Sequence, residues 1–358
     1  MRWPFARRGR AYANFGDHQA FVSALYDLIL GREPDTGGLE FHVGRLARNE
    51  IDRDNLVRDF ILSEECRRRC RVKFPFQEIL HDYRQVADPA PFRPHVLEQP
   101  FAGPQLCELA NPRKWLDEGW WGVIREGMAI NPALDDMHRK TYEFVQTVYG
   151  LRLLGRLAPE DQVLCVGAGH EMLLYWLANR VDEVVATDLY EGAWCTEDGR
   201  EGDPEVLADP TRFAPFPYRQ ECLRFLRMDG RRLEFPDASF DAVYSLSAIE
   251  HFGGHAGAGR AMAEMGRVLK PGGVAAVATE MIVNDREHRD YFTPQALLEH
   301  VVAPSGLKLV QEPEFRLPVY ALEHPIRLPQ EAEFRPHIVL KQRQVIFTSV
   351  MLFFQKPA

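Results

Sequence analysis

The sequence predicts an α/β protein, a mostly parallel sheet covered by helices on both faces, with a small all-α domain ahead of it. Three observations predict this. From Gln162 onward short apolar runs alternate with helical segments, which is how a parallel sheet buried on both faces is written. Between residues 18 and 66 the apolar residues instead recur at helical spacing. The 358 residues, 46% hydrophobic and 27% charged, suffice for one large domain and one smaller one.

In chain order, Phe21, Val22, Leu25, Tyr26, Ile29 and Leu30 line a first helix that GREPDTGG breaks. A second helix begins near Leu39. A third follows Asp52 as N-cap, with Leu56, Val57, Phe60 and Ile61 on one face. The stretch FVSALYDLILGREPDTGGLEFHVGRLARNEIDRDNLVRDFILSEE resembles a bacterial helical domain of unknown function, whose members share an LY…LGR.PD..G…L…S.E pattern. Such domains often accompany glycan-synthesis enzymes or occur in surface proteins. The acidic turn at Asp35 lacks the alternating oxygen ligands of a calcium loop. The helical domain is placed at 1–74, and a proline-rich linker at 75–105, because proline continues neither a helix nor a central strand. The second domain occupies 106–358, with a helical extension and a core from about 140. Its strands are expected at 162–166, 183–187, 223–228, 240–245, 273–280, 307–311 and 343–354, the last two as an antiparallel pair.

The net charge of −9 argues against a surface built to grip phosphate backbones. Six cysteines, at 66, 70, 107, 165, 195 and 222, contain no C-x-x-C pair, which reads as reduced thiols and no metal site. MRWPFARRGR carries four arginines with no apolar run after it, unlike a secretory signal. No apolar run approaches the roughly 18 residues needed to span a bilayer. The expectation is a cytoplasmic, soluble protein.

The first strand ends in a Gly-x-Gly turn, Gly167 and Gly169, and glycine lets the backbone approach a ligand closely. Alone, this is equally an ordinary tight turn. The next strand, EVVATD, ends in Asp188 about 20 residues on, the spacing at which a carboxylate accepts from both ribose hydroxyls. A helix N-cap is the other reading of Asp188. RMDGRRLEFPDASFDAVYSLSAIEHFGG then puts Asp229 at the end of a third strand before a fourth, and GRVLKPGGVAAVATE gives a helix, a proline-glycine turn and a fifth strand.

This succession resembles the class I S-adenosylmethionine-dependent methyltransferases, in particular the small-molecule branch with an LKPGG turn. The resemblance covers residues from roughly 140 to 356. It implies a Rossmann-like sheet of seven strands in order 3-2-1-4-5-7-6, with strand 7 antiparallel. It implies S-adenosylmethionine as cofactor, with Gly167, Ala168 and Gly169 at its methionine part, Asp188 and Leu189 at the ribose, and Asp229 and Gly230 at the adenine; Ser245 completes the set. Asp229 is otherwise a turn residue. Two departures stand out, Cys165 where the family has an acid and Glu171 where it has a third glycine. Either Glu171 supplies the charge facing the cofactor's ammonium, or it only complements the helix dipole.

The acceptor belongs outside the carboxyl end of strand 4, where SAIEHFGGH places Glu250, His251 and His255. His251, with Glu250 beside it, is the candidate base, a histidine being able to deprotonate a hydroxyl near neutral pH. The alternative is a structural histidine at a helix start. Trp194, Phe213, Phe216 and Tyr218 lie in a long loop before strand 3 and are candidates to stack on the acceptor, unless they merely pack the loop on the core. The stretch Trp115 to Trp121 is a second candidate surface. The His138, Arg139, Lys140 run reads first as a solvated helix face.

The functional expectation is methyl transfer to an oxygen of a small molecule or glycan, with a protein partner for the helical domain left open. A nicotinamide-dependent oxidoreductase would want the third glycine, and a degenerate scaffold would have no reason to keep Asp188 and Asp229. A nucleic-acid methyltransferase would show an [ND]PP[YF]-type site and a basic surface.

Overall fold

The computed structural model describes residues 16–30, 32–61, 63, 65–66, 81–125, 137–191 and 202–358. The chain divides into two compact units, Met1–Lys73 and Phe74–Ala358.

In the first unit three helices close on one apolar core. Helix α1, His18–Leu25, starts at Asp17, whose carboxylate accepts the Ala20 N–H at 2.6 Å, and runs on into a π-helical turn, Tyr26–Leu30. Helix α2, Thr36–Ala47, is capped by Asp35 through the Gly38 N–H at 2.8 Å, so that acidic turn is a helix start. Asp52 accepts the Asn55 N–H at 2.7 Å ahead of α3, Arg53–Ile61, as its position predicted. Phe21, Val22, Leu25, Leu46, Leu56 and Phe60 are buried between them.

The second unit is built on a mostly parallel sheet. Its principal strands are β1 (Gln162–Val166), β2 (Glu183–Asp188), β3 (Leu223–Arg227), β4 (Phe240–Leu246), β5 (Leu269–Ile282), β6 (Lys308–Leu309) and β7 (Val345–Gln355). They lie in the order β3-β2-β1-β4-β5-β7, with β6 on the outer edge of β7. Strands β1 to β5 pair in parallel, and β7 runs antiparallel to both β5 and β6. Short segments Glu108–Leu109 and Leu340–Gln342 share the outer edge of β7. Val163 to Val166 are all fully buried, because helices cover both faces of β1.

Two boundaries differ from the sequence pattern. Strand β5 begins at Leu269, opposite Phe240, and rejoins the ladder at Val274 opposite Ala242. LKPGG is therefore a bulge within the strand, with Gly272 at φ +74°, where a simple turn was expected. The part of the supposed linker that is described, residues 81–105, is built into this unit. Tyr83–Gln85 pairs with Arg316–Pro318, the Leu97 N–H bonds the Leu309 carbonyl, the Phe101 N–H bonds that of Val310, and Phe92 is fully buried. Proline stops a helix but does not prevent edge pairing, and the apolar residues between the prolines find a core.

Among the described residues, helices that frame the sheet include α4 (Glu118–Arg125), α5 (Arg139–Leu153), α6 (Met172–Ala178) and α7 (Gly254–Val268). Helix α5 crosses β7 so closely that a Cβ on Gly150 would lie 2.3 Å from the Phe353 ring. Trp115 and Trp120 are buried against each other and Tyr142, so they are core residues and present no acceptor surface.

Candidate active site

The turn after β1 is set by two glycines at positive φ, Gly167 (+73°) and Gly169 (+48°). A Cβ at Gly167 would lie 2.5 Å from the Ala248 Cβ and 3.0 Å from the Phe252 ring. Only glycine lets the turn after β4 pass this close. The N–H groups of Gly167 and Ala168 both bond the Thr187 carbonyl, which ties the turn to the end of β2. There the Asp188 carboxylate accepts the Gly169 N–H at 2.9 Å on one oxygen and the Leu189 N–H at 2.6 Å on the other.

Glu171 is the N-cap residue of α6, but its side chain makes no capping bond and instead lines the cavity above the turn. Cys165 is fully buried, and burial pushes its thiol well above the ordinary range. After β3 the Asp229 carboxylate is gripped by Arg231, whose Nη2 donates at 2.6 Å and whose own backbone N–H donates at 2.9 Å. The Arg231 side chain holds Asp229 below the usual carboxylate range, against a smaller effect of burial.

These groups surround one cavity of about 680 Å³ at the carboxyl ends of the parallel strands, within the size range of small-molecule sites. Gly167, Ala168, Gly169, Glu171, Asp188, Leu189, Asp229, Gly230 and His251 all line it. Other expected residues do not. Ser245 is fully buried and donates its hydroxyl to the Val166 carbonyl at 2.7 Å; Ser247, two residues on, reaches the cavity in its place. Glu250 is also fully buried and receives the Thr279 hydroxyl at 2.8 Å. His255 lies 2.9 Å from the Tyr291 carbonyl and stacks on Phe292. Phe216 and Tyr218 pack on the core, Tyr218 edge-on to Tyr175, because the aromatic loop supplies its own anchoring. Phe213 lies beside His170 at a separate cavity of about 240 Å³. Trp194 lies outside the described residues.

The far end of the cavity is polar in a way the sequence reading missed. Arg139 and Lys140, read as a solvated face, open α5 with their side chains only 16% and 30% exposed. Both pair with the fully buried Glu143, and Arg139 also pairs with Glu280 at 2.9 Å. Glu280 lines the cavity, and the buried carboxyl of Glu250 is its close electrostatic neighbour. Burial and the charge of Glu280 push Glu250 well up, which favours its protonated form. Burial also opposes the charge on Glu280, but Arg139, the Glu250 proton and Lys140 hold that group below its ordinary value. His251 is lowered, chiefly by burial, so its imidazole is neutral at pH 7. One signal pointed to Glu280: β2 ends in VVATD, and β5 carries the parallel run VAAVATE.

Residues 164–277 match a methyltransferase domain family, and residues 9–70 match a domain of unknown function, DUF4214. Uncharacterised methyltransferases of Mycobacterium tuberculosis and Mycobacterium bovis are 33% identical over 117 residues, 33% of this chain and 49% of theirs. A sterol 24-C-methyltransferase of Aspergillus fumigatus is 40% identical over 84 residues, 22% of each chain. The chain thus spans about half the length of the mycobacterial relatives it matches. Among solved structures, a TehB-like S-adenosylmethionine-dependent methyltransferase from Corynebacterium glutamicum aligns over 69% of this chain and 100% of its own, at 16% identity and TM-score 0.35. A second S-adenosylmethionine-dependent methyltransferase, from Mesorhizobium loti, covers 58% and 96% at 16% identity and TM-score 0.35. Among the described residues no helix is long and apolar enough to cross a membrane. The glycine turn, the strand order and the match over residues 164–277 together identify a methyltransferase domain with the class I S-adenosylmethionine-dependent fold, preceded in the chain by a DUF4214 match over residues 9–70.

Proposed function

We propose that this protein transfers the methyl group of S-adenosylmethionine to an oxygen of a small-molecule or glycan acceptor. The observation that carries the reading is a single cavity with the glycine turn, Asp188 and Asp229 on one side, and Ser247, His251 and Glu280 on the other. The cavity fits the cofactor chemically. Glycines leave the floor free of side chains, Asp188 keeps acceptor capacity beyond its three backbone N–H bonds, and Leu189, Met228 and Phe252 offer apolar flanks for a purine.

In this reading Asp188 takes the ribose hydroxyls and Asp229 the adenine amine, which shares that carboxylate with Arg231. Glu171 faces the cofactor's ammonium, the charge that Cys165 does not provide. S-adenosylmethionine supplies an electrophilic methyl on a sulfonium that departs as a neutral thioether. The protein therefore has to align the acceptor and accept one proton. Alignment contributes roughly 7–11 kcal/mol, and a positioned base about 10²–10⁴-fold. His251, neutral and cavity-lining, is the proton acceptor.

Titration calorimetry of the full chain with S-adenosylmethionine tests the cofactor half of this reading. Micromolar or tighter binding is the expected result, and no binding at millimolar concentration would overturn it in favour of a scaffold. For the base, His251→Ala is expected to lower turnover on an identified acceptor at least about 100-fold, with cofactor affinity kept. Retention of half the activity would remove His251 from the role.

A further inference from the structure

The guanidinium of Arg139 is not used up by its own protein. All its hydrogen bonds leave from Nη1, to Glu280 at 2.9 Å, Glu143 at 3.1 Å, and the hydroxyls of Ser247 and Ser349 at 3.3 Å each. A guanidinium carries five N–H donors. Among the described residues Nε is buried with no partner and Nη2 has no bond. Lys140, the next residue, is ion-paired with Glu143 at 3.0 Å and donates a hydrogen bond to the Leu246 carbonyl at 3.3 Å, which among the described residues leaves further N–H donors uncommitted. Both cations line the cavity, beside Phe144 and Leu246. An unmet buried donor costs about 1–3 kcal/mol. Two adjacent cations with donors in reserve at a cavity wall are a place for a ligand oxygen.

Charge counting narrows the ligand. Arg139 and Lys140 are matched one for one by the carboxylates of Glu143 and Glu280, and burial disfavours a further charge on Glu250. A single negative charge is accommodated by the spare donors. A doubly charged phosphate would crowd two excess charges against Glu280 and Glu143.

We propose that Arg139, with Lys140 beside it, binds a carboxylate of the methyl acceptor, so that the acceptor is a monocarboxylic acid with an apolar body lying toward Phe144 and Leu246. The inference rests on the methyl-transfer reading of the cavity. The cofactor's own methionine carboxylate is the other source of the same chemistry, and the test separates the two.

Benzoate and its neutral counterpart benzamide serve as probes against the full-length protein saturated with S-adenosylhomocysteine. Benzoate is expected to bind and benzamide to bind at least about tenfold more weakly, the worth of a charge-assisted bond. Arg139→Lys keeps a cation for Glu143 and Glu280 but loses the spare donors. It is expected to abolish the discrimination while leaving S-adenosylhomocysteine affinity within about twofold. Thermal melting of the variant establishes that it is folded, and Ser349→Ala, which keeps the guanidinium, is expected to keep the discrimination. Equal binding of the two probes, no benzoate binding, or discrimination surviving Arg139→Lys overturns the inference. If Arg139→Lys weakens S-adenosylhomocysteine but not 5′-methylthioadenosine, which lacks the carboxylate, the subsite belongs to the cofactor and the acceptor assignment is overturned. Failure of S-adenosylhomocysteine to bind wild type overturns instead the methyl-transfer reading beneath it.

Discussion

His138 and His337 stack face to face, with ring centroids 4.1 Å apart and planes within 5° of parallel. His138 caps α5 through the Lys140 N–H, and backbone bonds between Met137, Arg139 and His337 hold the two rings together. The pair therefore sits at the root of the helix that delivers Arg139 and Lys140 to the cavity. Burial lowers both imidazoles, His337 to about 3, and the charges of Arg139, Arg335 and, for His138, Lys140 add to the effect.

The sign follows directly. The folded pKa values lie below the unfolded value near 6.5, so the stabilisation is complete above pH 6.5 and is lost as protons bind the unfolded chain below it. Each histidine is expected to contribute a loss of about 1.4 kcal/mol per pH unit below that point. Melting temperatures measured from pH 7.5 down to pH 5 check this. His337→Phe keeps the stacked ring and should reduce the slope by one histidine's share, about 1.4 kcal/mol per pH unit; an unchanged slope would assign acid sensitivity elsewhere.

Glu250 gives the opposite dependence. Glu250 is raised, so between its unfolded value near 4.3 and its folded one the native state holds the extra proton, and stability declines as pH rises. Glu250→Gln preserves a donor toward Glu280 and removes the titration, so its melting temperature should match or exceed wild type at pH 8. Glu280→Gln leaves a buried cation short of a partner and should cost about 3 kcal/mol in urea unfolding. Equal behaviour of the two variants would contradict the assigned proton.

Gly167→Ala would put a methyl group 2.5 Å from the Ala248 Cβ at a φ of +73°. The strain is worth about 1–3 kcal/mol, and relief moves the loop after β4. S-adenosylhomocysteine affinity, measured by calorimetry, is expected to fall at least about tenfold, since 1.4 kcal/mol is one decade.

Asp188→Ala deletes the acceptor for the Gly169 and Leu189 N–H groups as well as for a ribose. The expected loss of S-adenosylhomocysteine affinity is about 10- to 100-fold, with a lower melting temperature. An affinity within twofold of wild type would detach Asp188 from the cofactor.

The parts of this protein legible in its sequence are those with a local code. Strand β1 is an unbroken apolar run, Gly167 and Gly169 sit where positive φ is required, and Asp52 precedes its helix as the cap. One half of the cavity lining was legible because β2 ends in Asp188 and Asp229 follows the adjacent parallel strand β3 by two residues. The other half was not. Arg139 and Lys140 look solvated within their helix, and what buries them is Glu280 and Ser349, 141 and 210 residues from Arg139. Glu250 and Ser245 failed as site residues for a related reason. A one-residue step along a strand or turn exchanges cavity for core, and no local pattern in SLSAIE fixes that phase.

The segment around residues 83–105 also decides where this chain can be cut. Its backbone completes the edge beside Leu309 and Val310, and its Phe92 ring fills the core against Phe315. A catalytic fragment begun at residue 106, the natural choice from the composition, would bare a strand edge and an apolar pocket together, and would emerge aggregated from expression. The shortest fragment worth making starts ahead of Tyr83.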